Sequence, residues 1–397
     1  MRPAVTPLHP LIRGGIVVVL GLASYSVGVL AWADHLSESS QLADRQHAVH
    51  LMRSGSSYER LAEKLEDAGG DPLPAFTRAA ELEPANAEYR MRAGLCAEAA
   101  GRWDLAEANL SAAAGLSRLY QPRYLLAQYY FRRQDAVGFF HWGRAAFEVA
   151  YGDVLPLFDL CWRMRPEPDW LLAHAVPARP EILRQYLAFL TGRRQWGAAE
   201  AIAGRISGSA VAADVPALLE FCDHSLADGR ATRPVEVWNR LCARGVMPFE
   251  ELNPANGASL TDGNFAHQLL GQGFGWRLND TDGVISRQGH GGLRVTFSGK
   301  QEEWCGIAWQ YLAVQSGRTY RLRWEFHGID VDTPQGVCWK IYDLAGKRVA
   351  ARNEGAGLTL IAPADVLVLM LSYERPMGLS RLAGTVSVAQ VALGLEK

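Results

Sequence analysis

Eighteen consecutive positions, Ile16 to Ala33, carry no charge and only three polar side chains, Ser24, Tyr25 and Ser26. As a helix they would extend about 27 Å, close to the hydrocarbon thickness of a bilayer. From Leu36 to Asp67 apolar residues return at helical spacing among polar ones (Leu42, Val49, Leu51, Met52, Tyr58, Leu61, Leu65). A break is predicted at the Gly and Ser cluster of Arg53 to Ser57, and Gly69-Gly70-Asp71-Pro72 closes the segment. The helical rhythm then continues to Gly245 as about five helix pairs. Pro248 to Thr261 has no periodicity and reads as a linker. Beyond Asn264 the period falls to two. Short β-branched and aromatic runs between Gly-rich turns predict nine strands, from Gly283–Arg287 through Ile307–Val314, Thr319–Gly328 and Val337–Tyr342 to Gly384–Leu393.

The expected architecture is multidomain, α plus β. A cytoplasmic tip and membrane helix (1–35) lead to a juxtamembrane helical segment (36–70), a helical repeat domain (71–247), a linker (248–261) and an antiparallel β-sandwich of jelly-roll type (262–397). Arg2 and Arg13 precede the apolar run, whereas the first charges after it are Asp34 and Glu38. The positive-inside rule then makes this a single-pass inner membrane protein with its bulk in the periplasm, touching the membrane through residues 16–33. Ala31-Trp32-Ala33 also fits a cleavage site, so secretion after signal removal is the alternative.

Charge narrows the partners. Across 397 residues the formal net charge is −2 and no Lys/Arg block appears, which leaves nucleic-acid binding without support. Six dispersed cysteines form neither a CxxC nor a Cys/His cluster at zinc spacing, so no metal or cofactor is expected. Cys305 and Cys338 are a candidate disulfide, provided their strands are neighbours in one sheet.

Phe76, Ala79, Ala80, Leu82 and Pro84, then Gly94, Gly101, Trp103, Ala106, Leu110 and Ala113, resemble the tetratricopeptide repeat. A 34-residue unit beginning at Ala87 places Gly94, Ala106 and Ala113 at that family's small-residue positions. Small side chains there let two antiparallel helices approach, Gly101 suits the turn, and Trp103 is expected to pack into the pair. In the following unit Gln128 stands where a small residue is expected, and the loop near Asp135 reads as shortened. The resemblance implies protein partners bound along the helical repeats. Asp262-Gly-Asn-Phe265, Gly275-Trp276, Trp309-Gln310 and Gly317-Arg-Thr-Tyr320, with a final strand from Val386 to Leu393, resemble jelly-roll carbohydrate-binding modules. That resemblance implies a polysaccharide partner for the sandwich.

Candidate chemistry is sparse. GxSxG, HExxH and P-loop motifs are absent from the sequence, and no catalytic residue is assigned. Alternation along the strand at Trp324 puts Arg321, Arg323, Glu325 and His327 on one face, with a single carboxylate where a glycosidase needs two. The candidate glycan-binding residues are Trp304, Gln310, Arg323, Glu325, Lys340 and Tyr342, while Trp276, Trp309, Trp324 and Trp339 are expected in the core. The function expected is a non-enzymatic, membrane-anchored periplasmic scaffold, an accessory of cell-surface polysaccharide assembly or export. The alternatives are a polysaccharide-acting enzyme and a secreted glycan-binding protein.

Overall fold

The computed structural model describes residues 10–289, 291–331, 333–352 and 357–396. Arg2, part of the orientation argument, lies outside them. The chain divides into two compact units, Met1–Pro177 and Ala178–Lys397.

The first unit is helical. It comprises α1 (Pro10–Ser37), α2 (Leu42–Leu51), α3 (Gly55–Asp67), α4 (Leu73–Leu82), α5 (Ala87–Ala99), α6 (Trp103–Leu116), α7 (Tyr120–Arg132), α8 (Ala136–Val149), α9 (Leu155–Met164) and α10 (Pro168–His174). Within α1, Gly14–Ser37 is long and apolar enough to cross a membrane, and Val17, Leu20, Leu22 and Val27 are exposed along it. Its base is held to α3 by Arg60, whose guanidinium lies 2.8 Å from Asp34 and 3.8 Å from Glu38. The expected break falls between α2 and α3, where the Ser54 hydroxyl accepts from the Ser57 N–H and caps α3.

Gly94 does permit the close helix crossing. A Cβ there would lie 2.7 Å from Leu110 Cγ and 3.3 Å from the Ala106 carbonyl oxygen, and Ala106 and Ala113 are fully buried. Trp103, by contrast, opens α6 partly exposed, with the Arg133 guanidinium 4.9 Å from its ring centre. The next hairpin corrects the sequence reading. From Ala87 to Tyr120 is 33 residues, so the buried Ala127, and not Gln128, takes the place of Gly94. The shortening is in the link between α6 and α7, since both hairpins turn through three residues.

The second unit begins with α11 (Pro180–Gly192), α12 (Trp196–Gly208), α13 (Val215–Ala227) and α14 (Thr232–Ala243). One device ends six helices across the chain. The second residue past α3, α5, α7, α11, α13 and α14 has positive φ: Gly69, Gly101, Gln134, Arg194, Gly229 and Gly245. Each donates its N–H three residues back, and the following N–H reaches five back, as in Gly101 to Glu98 and Arg102 to Ala97. This is the Schellman arrangement, which satisfies carbonyls the helix end leaves open.

Among the described residues ten strands follow: β1 (Arg277–Leu278), β2 (Val284–Gly289), β3 (Gly292–Ser298), β4 (Trp304–Ala313), β5 (Thr319–Gly328), β6 (Val337–Tyr342), β7 (Arg348–Arg352), β8 (Gly357–Ile361), β9 (Val366–Glu374) and β10 (Ala383–Leu395). They form two antiparallel sheets, β1-β4-β9-β6-β7 and β2-β3-β10-β5-β8. The orders β4-β9-β6-β7 and β3-β10-β5-β8 are the two halves of a jelly roll. Trp276, Trp324, Trp339, Tyr320, Phe297 and Tyr373 fill the space between the sheets, as expected for three of the four tryptophans.

The proposed disulfide is absent because β9 separates β4 from β6. Cys305 stands opposite Tyr373 and Cys338 opposite Ser372, so two strand spacings, about 9.5 Å, lie between them. A disulfide tolerates about 7 Å between Cα atoms. All six cysteines are free thiols, and burial raises every one, Cys338 to about 11 and Cys242 to about 12.

Two outcomes follow for stability. Gly94→Leu should lower it by about 1–3 kcal/mol through overpacking against Leu110. Gln134→Gly and Arg194→Gly should each raise it by about 1 kcal/mol, because glycine adopts positive φ without strain. Thermal and denaturant melts check both, and unchanged melts in all three variants would mean that neither the crossing nor the caps limit stability.

Candidate functional site

In β4 the pairing with β9 slips between Gly306 and Ala308, leaving Ile307 as an extra residue. A β-bulge of this kind inverts the alternation downstream. Trp304 therefore points outward before the bulge, but Trp309 and Tyr311 point outward after it, and Gln310 turns inward. Fully buried, Gln310 makes two reciprocal 3.2 Å hydrogen bonds with the Thr261 backbone, accepting at Oε1 and donating from Nε2. It anchors the segment entering the sandwich and is not on the outer face. Trp309, expected in the core, is the aromatic that sequence alternation misplaced.

On the outer face of this sheet Trp309 stands opposite Met370 and Lys340 opposite Met370 from the other side. One step along, Tyr311 and Tyr342 flank Val368. Trp309, Tyr311, Tyr342, Val368 and Met370, together with Trp304, Asp343, Leu344 and Ala227 of α13, bound a hollow of about 440 Å³. Trp304 is 50% exposed, so one indole is available to a ligand.

Two of the charges around this hollow, Lys340 and Arg277, are held in ion pairs. Lys340, only 3% exposed, donates to Glu374 at 2.7 Å and lies 5.6 Å from the Trp304 ring centre. That hydrogen bond, with the charge behind it, holds the Glu374 carboxyl below the usual carboxylate range. A carboxyl so held is unsuited to general acid work. Asp343 accepts from the Lys347 N–H at 2.8 Å. On the helical side, Arg277 lies 4.5 Å over the Trp309 ring and 5.0 Å from that of Tyr311. Its guanidinium is paired with Asp223 of α13 and also donates to the carbonyls of Gly273 and Gly275. Burial raises the Asp223 carboxyl and lowers the Arg277 guanidinium, and each partner opposes the shift of the other.

The six residues expected to form one site thus divide. Trp304, Lys340 and Tyr342 lie on the outer face of the first sheet. Arg323 and Glu325 lie on the outer face of the second, across the core, where Glu325 accepts from Gln390 at 2.9 Å and is 3.2 Å from His327. Among the described residues no cluster of His, Cys, Asp or Glu could hold a metal.

No family model matches the chain, and no curated protein matches it. Among solved structures it is similar to a chain described as "Functional Characterization of Pseudomonas Aeruginosa pilF", at 12% identity and a TM-score of 0.29, over 47% of this chain and 90% of that one. The assignment of helical repeats rests on the hairpins and caps of the chain itself.

Glu374→Gln should destabilise the fold by about 1–3 kcal/mol at neutral pH, because Lys340 keeps its charge without a charged partner. Glu374 is depressed in the folded state, so its contribution is present above its ordinary value of 4.5 and is lost as pH falls through the lower folded value. The gap between wild type and variant should therefore narrow in melts run below about pH 4.5, and a constant gap would refute the pairing.

Proposed function

We propose that this chain is a non-enzymatic, membrane-anchored scaffold of the cell envelope. In this reading α1 holds it in the membrane, the helical repeats bind a protein partner, and the first sheet of the sandwich binds sugar rings of a cell-surface polysaccharide during its assembly or export. The observation that carries the glycan step is the aromatic hollow of Trp304, Trp309, Tyr311 and Tyr342. Pyranose rings present apolar C–H faces that stack on indole and phenol rings, and their hydroxyls need polar edges. With Lys340 and Glu374 satisfying each other, the charge left on the lining is the Asp343 carboxylate, which can accept from sugar hydroxyls but would repel an anionic unit, so the hollow suits a neutral sugar unit. The sequence resemblance to jelly-roll carbohydrate-binding modules points the same way.

The scaffold step rests on repeated helix hairpins, an architecture that presents extended surfaces to other proteins. The membrane step rests on the length and apolar composition of α1.

Trp304→Ala should weaken binding of neutral envelope glycans by about tenfold, the loss of one stacking surface. Titration of indole fluorescence in wild type and variant measures it, and equal affinities would remove the hollow from the reading. For topology, the chain should stay in the membrane fraction after carbonate washing, and protease added to spheroplasts should digest Asp34 onward. Release of a soluble product beginning at Asp34 would establish the secreted form instead.

A further inference from the structure

The outer face of the second sheet carries a different chemistry. Strand pairing sets Arg287 of β2 directly opposite Arg294 of β3, Arg294 opposite Ser387 of β10, and Ser387 opposite His327 of β5. These four positions form one row across four adjacent strands, about 14 Å long at the usual strand spacing. Further along β5, Arg323 and Arg321 project from the same face, since Tyr320, Leu322 and Trp324 take the inward positions.

Two arginines opposed across an antiparallel pair stand about 5 Å apart at Cβ and repel each other. Neither side chain has an ion pair or hydrogen bond among the described residues, and the same holds for the Arg323 side chain. Among the described residues the carboxylate in these rows, Glu325, is engaged by Gln390 and His327. Glu396, past the end of β10, lies 3.8 Å from Arg321. In a chain of net charge −2, Arg287, Arg294 and Arg323 form a local concentration of exposed positive charge without ion-pair partners among the described residues.

We infer that this face binds an anionic polysaccharide, one bearing carboxylate or phosphate groups along an extended chain. An anionic polymer lying along the row would replace the repulsion between Arg287 and Arg294 with guanidinium–carboxylate or guanidinium–phosphate pairs. The hydroxyls of Ser387, and of Thr296 and Thr385 at 3.1 Å from each other, lie beside the row and suit sugar hydroxyls. The exposed large apolar side chains of this sheet, Ile285 and Ile361, stand singly on its two edge strands, and among the described residues no exposed Trp, Tyr or Phe joins them to insert into lipid, which favours a polysaccharide over a membrane surface. The choice of a glycan polymer rests on the reading proposed above, but the site is separate from the aromatic hollow.

The test uses the full-length chain in detergent with polygalacturonate as the anionic probe, pullulan as the neutral one, and vesicles containing phosphatidylglycerol. Polygalacturonate binding is expected, with a loss of about tenfold or more in the Arg287→Glu/Arg294→Glu variant and a similar loss on raising salt. Trp304→Ala should leave it unchanged. Arg287→Thr should raise the melting temperature at low salt when no polymer is present and lower polygalacturonate affinity, a combination that a purely structural arginine would not give. Failure to bind polygalacturonate, or equal binding by the double variant, overturns the inference. Arginine-dependent binding to the vesicles without polygalacturonate binding also overturns it, in favour of a membrane contact. Loss of pullulan binding alone in Trp304→Ala reports on the aromatic hollow, so the two sites succeed or fail independently.

Discussion

A buried guanidinium must be met by hydrogen-bond acceptors and by a compensating charge, and the second unit is built around that requirement at Arg277. Asp223 reaches it from α13, while the carbonyls of Gly273 and Gly275 take other N–H groups. The Asp223 carboxylate also accepts the Gly273 N–H at 2.7 Å, so the glycine-rich turn is pinned to the helix. A larger residue in that turn would have to adopt positive φ and displace its neighbours, because a Cβ on Gly273 would lie 2.9 Å from Leu219 and 3.2 Å from Trp238. The same cation covers Trp309 and leaves the aromatic hollow to be completed by Trp304 and Tyr342. Removing Asp223 would leave a buried cation without its counter-charge, and breaking a buried pair is among the costlier single changes.

Much of this was legible in the chain. The strands were readable because period-two alternation and Gly-rich turns are local signals: Thr319–Gly328 and Val337–Tyr342 match β5 and β6 end to end. The helix crossing at Gly94 was readable because only a small residue fits there. The face on which each β4 residue lies was not, because one extra residue at Ile307 shifts the phase, and a bulge is fixed by pairing with β9 and not by the strand's own composition. Hence simple alternation puts Gln310 outside and Trp309 inside, the reverse of the fold. The division of the other five candidate residues between two outer faces was hidden for a related reason: β4, β6 and β9 share a sheet through long connections, and a period of two does not say which sheet a strand joins.

The hairpin caps show the complementary limit. Four of the six use glycine, whereas Gln134 and Arg194 adopt the same backbone without it. A reading keyed to glycine therefore sees Gly101 and overlooks its two counterparts. The 33-residue step from Ala87 to Tyr120 is similar, since a fixed period of 34 assigns Gln128 to a position the chain gives to Ala127. The register is carried by closely packed small residues, and the links between hairpins absorb differences in length.

The free thiols carry one further consequence. Thiol–disulfide exchange proceeds through the thiolate, and burial leaves that form scarce at all six cysteines. Neither the helical cores nor the sandwich draws on a covalent cross-link, and the one pair in a single sheet is kept apart by β9. The fold is thus indifferent to the redox state of its surroundings. It would assemble equally in a reducing compartment and in an oxidising one, without an oxidase or isomerase to pair its cysteines.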